Sequence, residues 1–182
     1  MDAFAYDLHI HSALSPCGDE DMTPNNIANM AYLKGLDVIA VTDHNSCRNV
    51  SAVQKCGANA GVTVIPGMEV ETSEEVHMVC LFKSLNDAYE MEDYVTAHLP
   101  VIKNKPEIFG RQLVMDENDQ ITDIKENLLI TATTLSVYDV FDAAKRIGAA
   151  VFPAHIDKQS YSIISNLGFI PPELKFKLAE IK

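Results

Sequence analysis

Short apolar runs that each meet a histidine or a carboxylate recur along this chain, and that recurrence restricts its fold more than any other feature. Phe4 to Ile10 reads as a strand ending in His9 and His11. Asp37 to Val41 (DVIAV) leads to Asp43-His44, and Val62 to Ile65, broken at Pro66-Gly67, precedes Met68 to Val70 with Glu69 inside it. Val76 to Phe82 (VHMVCLF) carries His77 near its start, and Ala149 to Phe152 leads into Pro153-Ala-His155. Runs this short and apolar suit strands buried on both faces. Helix signatures lie between them. Thr23 is placed as an N-cap with Pro24 at the first helical position and Gly35 as the stop. A second helix covers Val50 to Ala60 and closes on Gly61, and a third runs from Ser84 to about His98. Ser136 with Asp139 opens a fourth that ends near Gly148. Strands alternating with helices predict an α/β fold with a largely parallel sheet and helices outside it. Functional groups in such folds gather at the C-terminal ends of strands.

His9 and His11 stand two apart on a strand, so both imidazoles point to one face and can reach a single ion. Alone, an H-x-H is as readily two unrelated histidines. Here similar groups follow nearly every later strand. Imidazole with carboxylate is the ligand set expected for zinc, manganese or iron. An apolar barrel mouth does not otherwise tolerate so many unpaired polar groups. The pattern therefore predicts a metal centre.

The strings DLHIHS, VTDHN, IPGMEVET with the later VHMV, and PAHID together resemble the PHP (polymerase and histidinol phosphatase) domain, in order from about Asp7 to Asp157. The resemblance implies a distorted (β/α)7 PHP-type barrel with two to three divalent metal ions, serving metal-dependent phosphoesterase chemistry. It places His9 and His11 on one ion with Glu69, and has Glu69 bridge to a second ion held also by His77 and His155. His44 falls to a third site. Asp43 is expected at the catalytic centre, orienting a ligand histidine, and Asp7 is a candidate for the same work. Cys17 stands where many relatives have a histidine and is a candidate thiolate ligand. The family's closing Asp-x-His is not reached before Lys182. The expectation is thus one PHP-like domain over 1–182, truncated and lacking the last barrel strands, with a hairpin insertion at 103–126 and a weakly filled third site. An open strand edge of that kind favours association into a homo-oligomer.

Other residues read as bystanders. Asp116-Glu-Asn-Asp119 lacks the glycine and closing glutamate of a calcium loop and suits a hairpin turn between Arg111–Met115 and Ile121–Ile124. His98 suits a helix end. Arg111 and Lys158 are of a type that binds phosphate but are expected to be ordinary surface charges, and one bridging carboxylate makes Glu71 unnecessary. After Pro171-Pro172 the tail reads as weakly helical.

The net charge of −12 and pI of about 4.8 argue against duplex nucleic acid and against an exonuclease role. They leave room for a small phosphorylated substrate, because bound cations dominate the local field. No apolar run is long enough for a membrane span, and the N-terminus carries no signal-peptide pattern. The cytoplasm is the expected location, with Cys17, Cys47, Cys56 and Cys80 as thiols. The leading function is a phosphoesterase acting on a small phosphorylated metabolite or nucleotide through a metal-activated water. The alternatives are an amidohydrolase-type enzyme and a metal-binding domain without catalysis.

Overall fold

The computed structural model describes residues 4–181. Met1 to Ala3, on which part of the N-terminal reading rests, and Lys182 lie outside the described residues.

The elements follow the expected alternation: β1 (Tyr6–Ile10), α1 (Pro24–Leu33), β2 (Val38–Val41), α2 (Val50–Ala60), β3 (Thr63–Glu71), β4 (His77–Leu81), α3 (Leu85–Thr96) and α4 (Pro106–Phe109). After them come β5 (Leu113–Met115), β6 (Ile121–Ile124), α5 (Val137–Ile147), β7 (Ala150–Pro153) and α6 (Ile163–Leu167). The predicted caps form. Thr23, Ser84 and Ser136 accept from the backbone N–H groups of Asn26, Asp87 and Asp139, and Asp139 returns the bond to complete a capping box.

The main sheet has the order β1-β2-β3-β4-β7. β1, β2 and β3 are parallel, whereas β4 runs antiparallel to both of its neighbours, β3 and β7. It is a curled half-barrel, as an incomplete PHP barrel would be. Pro66-Gly67 does not divide β3, contrary to the sequence reading. Pro66 sits at the last register position against β2, opposite Val41, and from Gly67 onward the strand pairs with β4. The missing N–H of the proline falls where one partner hands over to the next. A Cβ on Gly67 would stand 2.6 Å from Thr42 Cγ2 and 2.9 Å from the Val41 carbonyl, so only glycine lets the chains approach here.

The sheet separates two apolar layers by strand alternation. Ile39, Val41, Met68, Val70, Met78 and Cys80 pack towards the helices with Val53, Met91 and Val140. Ala40, Val79, Leu81, Phe152 and Ala154 form a smaller inner cluster with Leu8 and Ile65. Glu69 shares its strand face with Ile65, and His77 shares its face with Val79, so the polar site continues the inner layer upward.

The β5–β6 hairpin pairs antiparallel around the Asp116–Asp119 turn. It is stitched to the body: Leu113 N–H donates to the Ala13 carbonyl at 2.9 Å, while the Asn49 side chain accepts from Met115 N–H and donates to the Leu113 carbonyl, both at 2.9 Å. The tail departs from its predicted helical character. After a single 3-10 turn at Pro172–Leu174 it runs beside β7, where Glu180 N–H donates to the Pro153 carbonyl at 3.1 Å and Ile156 N–H to the Glu180 carbonyl at 2.9 Å. No helix among the described residues is long and apolar enough to cross a membrane.

Candidate metal centre

Glu69 is 1% exposed, and all five histidines expected at the site surround its carboxylate. His9 Nε2 lies 3.1 Å and His77 Nδ1 3.0 Å from Oε1, with His155 Nε2 at 3.5 Å. His11 Nε2 and His44 Nδ1 each lie 3.3 Å from Oε2. Strand direction explains the convergence. His9, His44, Glu69 and His155 lie at or beyond the C-terminal halves of strands running one way. His77 opens β4, and because β4 is reversed, its beginning reaches the same rim. Glu71 pairs with His77 across the β3–β4 ladder, which places Glu69 one step away on the same face.

Burying this many polar groups without partners is costly. Yet His44 Nδ1, His77 Nε2, His155 Nδ1, Glu69 Oε1 and Glu71 Oε2 are buried with no hydrogen bond of proper geometry. The donor set is nitrogen, carboxylate oxygen and one thiol, which suits a borderline divalent ion. Among the described residues, three sets have ligand atoms within 4.8 Å of one another: His9-His11-Glu69, His44-Glu69-His77 and His11-Cys17-His44. The first coincides with the set implied by the family resemblance. In the second, His44 stands where His155 was expected. The third joins His44 to exposed Cys17 through His11. The residues fit a cluster of divalent ions.

The electrostatics agree. Burial works to lower the pKa of His9, but the carboxylates of Glu180 and Glu69 outweigh it and raise the value to about 9. For His11, burial is likewise outweighed, by Cys17 and Glu69, giving about 10; for His77 it is outweighed by Glu69 and Glu71, giving about 9. His44 goes the other way, pushed down to about 3 by burial. Burial opposes ionisation of Glu69, and the close imidazoles of His11, His155, His77 and His9 prevail, holding it well below the usual carboxylate range. In the metal-free protein, protons do part of the work that a divalent cation would do.

Asp43 is fully buried and does not line the cavity. Its carboxylate accepts from Ser12 N–H at 2.7 Å and from the Ser12 and Ser15 hydroxyls at 2.6 and 2.7 Å. Ser15 Oγ in turn lies 3.0 Å from His11 Nδ1 and accepts from His44 N–H at 3.1 Å. Asp43 thus reaches the ligand histidines through Ser15, and nothing in this geometry lets it touch a substrate. Asp7 accepts from His9 N–H at 3.2 Å but does not engage a ligand ring.

Glu180 is the residue that the sequence reading missed. Its Oε2 lies 2.8 Å from His9 Nδ1 and accepts from His155 N–H at 3.1 Å. It follows Leu178-Ala179 and precedes Ile181, one more short apolar run meeting a carboxylate, and that repeated pattern was the available signal. Glu71, passed over as redundant, is 4% exposed and places Oε2 3.8 Å from His77 Nε2, too far for a hydrogen bond. The other bystanders divide. His98 Nδ1 lies 2.8 Å from the Tyr94 carbonyl, away from the site, and Arg111 is paired with Glu20. Lys158, expected to be a plain surface charge, lines the cavity of about 380 Å³ over the cluster, together with Ser160 and Tyr161.

A half-barrel that gathers five histidines from four strands around one buried carboxylate on a fifth defines a class: barrel proteins whose rim can hold divalent metal ions. The sequence profile of the PHP domain matches residues 7–121, and the chain belongs to that family. It is 32% identical over 79 residues to a 5′-3′ exoribonuclease of Haemophilus influenzae, covering 42% of this chain and 28% of that protein. The chain spans less than half the length of the curated relatives it matches. Among solved structures, a candidate metal-dependent phosphoesterase from Bifidobacterium adolescentis has a TM-score of 0.63 at 16% identity, covering 100% of this chain and 77% of that one. Endonuclease Q, in complex with a 27-mer duplex bearing an abasic lesion at the active site, has a TM-score of 0.63 at 21% identity, covering 97% of this chain and 40% of that one. The likenesses to the exoribonuclease and to endonuclease Q overturn the exclusion of nucleic acid drawn from charge. Net charge describes the far field, whereas recognition depends on the potential inside one cleft.

Proposed function

We propose that this chain is the metal-binding catalytic core of a metal-dependent phosphoesterase whose substrate is a nucleotide, a nucleic-acid strand or a small phosphorylated metabolite. The convergence of five histidines on buried Glu69 carries this reading. Divalent ions held there would neutralise phosphoryl oxygens and activate water for attack on phosphorus. Glu69 and the histidines bind, Glu180 and Ser15 hold His9 and His11 in orientation, and the inner apolar layer closes the floor of the site to solvent. Zinc, manganese and iron all suit the donor set, and a cytoplasmic setting agrees with the exposed thiol of Cys17. The names of the Haemophilus influenzae exoribonuclease and of endonuclease Q support the nucleic-acid arm.

Elemental analysis of protein purified without chelator tests the reading. At least one equivalent of zinc, manganese or iron is expected. Glu69→Gln should lower that content more than about tenfold, a loss of the size seen when ligands or their supports are removed, while Glu71→Gln should have the smaller effect. Hydrolysis of phosphate esters, and not of amides or lactones, is expected of the loaded protein. A folded wild type that takes up no ion after reconstitution would rule the reading out.

A further inference from the structure

The segment between β7 and α6 crosses the mouth of the cavity, and its backbone is held in an unfavourable conformation at both ends. His155 has φ +29° and Tyr161 has φ +56°, neither of them glycine. A bulky aromatic residue in the left-handed region is an outlier, and such strain persists where the surrounding structure enforces it, often at a ligand site. Here the enforcing bonds are visible. His77 N–H donates to the Tyr161 carbonyl at 3.1 Å, Lys158 N–H to the His155 carbonyl at 3.0 Å, and the Ser162 hydroxyl to the Lys158 carbonyl at 2.8 Å.

The result is a fixed strap that presents two side chains to the cavity. The Tyr161 ring stacks on His77, with centroids 4.9 Å apart and planes at 23°, yet the residue remains 46% exposed. One face of a flat ring is therefore held by a candidate metal ligand, and nearly half of the residue's surface is open. Lys158 supplies the one lysine or arginine side chain among the residues lining this cavity. A cation beside a metal centre suits a phosphate oxygen, and an open aromatic face beside it suits a nucleobase.

We infer that the strap from His155 to Tyr161 selects nucleotidyl phosphoesters, with the base stacked on Tyr161 and a phosphate oxygen on Lys158. This rests on the phosphoesterase reading of the site and names the substrate class within it. The shared chemistry is a nucleoside carrying a phosphate, either free or at the end of a strand.

The test is equilibrium binding to the metal-loaded chain of three probes: an adenosine 5′-phosphonate, the matching ribose 5-phosphonate without a base, and a short 5′-phosphonate oligonucleotide. The wild type should bind the adenosine probe about tenfold more tightly than the ribose probe, the scale of one base–aromatic stack. Tyr161→Asn keeps a residue tolerant of this φ and should abolish the preference, while Tyr161→Phe should retain it. Lys158→Ala should weaken both monomer probes by the same factor. Metal content should stay unchanged in all three variants. Tighter binding of the oligonucleotide than of the adenosine probe would mark the strand end as the source, and equal binding the free nucleotide. Equal wild-type affinity for adenosine and ribose probes would overturn the strap proposal alone, as would a Tyr161→Asn protein that loses metal and both probes together, because Tyr161 would then only shield His77. A metal-loaded wild type that binds none of the probes would overturn the phosphoesterase reading as well.

Discussion

Glu180 lies 171 residues from His9 in the chain and 2.8 Å from its Nδ1. A carboxylate on one imidazole nitrogen fixes the tautomer and leaves Nε2 to face a metal, and loss of such a partner typically costs about 10–100-fold in metal affinity. Glu180→Ala is therefore expected to weaken zinc binding within that range, and Glu180→Gln, which still offers an accepting oxygen, to weaken it less. In zinc-loaded protein the ¹⁵N shifts of the His9 ring should report Nδ1–H in the wild type and a mixture in the alanine variant. Unchanged affinity and unchanged shifts would show that Glu180 is a bystander. At this scale the sequence pointed to the candidate ligands and to Asp43 behind them, and was silent about the other supports. His9, His11, His44, Glu69, His77 and His155 stood out because imidazoles at strand ends are conspicuous. Ser12, Ser15 and Glu180 did not, because serines in turns and glutamates in tails are common and their partners are far away in sequence.

The elements themselves were largely legible. Helix caps are local chemistry, so α1, α3 and α5 began where Thr23-Pro24, Ser84 and Ser136-Asp139 indicated. Strand direction was not legible. Nothing local in VHMVCLF states that β4 runs against its neighbours; the five residues from Thr72 to Val76 make a tight return, closed by Thr72 N–H to the Val76 carbonyl at 3.0 Å with Glu75 at φ +58°. Pro66 misled for a related reason, since a proline is tolerated where a strand changes partner. The return sets the register of Glu69 against His77. One glycine inserted between Ser73 and Glu74 is expected to strip the centre of metal, because a one-residue slip turns a strand's side chains to the other face. The same insertion between Glu117 and Asn118, at the tip of the β5–β6 hairpin, should leave metal content within about twofold, as loop tips usually tolerate insertion. Circular dichroism and elemental analysis of the two proteins decide it; equal metal loss would refute the ruler role of the return.

For the whole molecule, metal and protons compete for one pocket. In the metal-free protein His9, His11 and His77 titrate at about 9, 10 and 9, above the ordinary 6.5. A group with a raised folded pKa contributes stability that is complete below its unfolded value and lost as pH rises through the folded one. Glu69, with a depressed value, contributes stability that is present above the ordinary carboxylate range and lost in acid. The metal-free chain should therefore have its highest Tm in mildly acidic solution and a falling Tm from about pH 6.5 to about 10, the window these shifts define. Added zinc or manganese takes the place of the departing protons, so the Tm gain on loading should widen across the same window. A metal-free Tm independent of pH there would mean the cluster does not hold these protons.

The tail that lies beside β7 gives the metal centre a second consequence. Candidate ligands and supports come from all five strands of the main sheet and from Glu180 near the far end of the described chain. An ion in that pocket is a staple across almost the full contour of the polypeptide, the topological equivalent of a long-range disulfide made without oxidising a cysteine. Unlike a disulfide, it opens to a chelator. Removing the ion should release the two ends of the sheet together, so chelation, rather than any denaturant, is the gentlest way to unfasten this molecule.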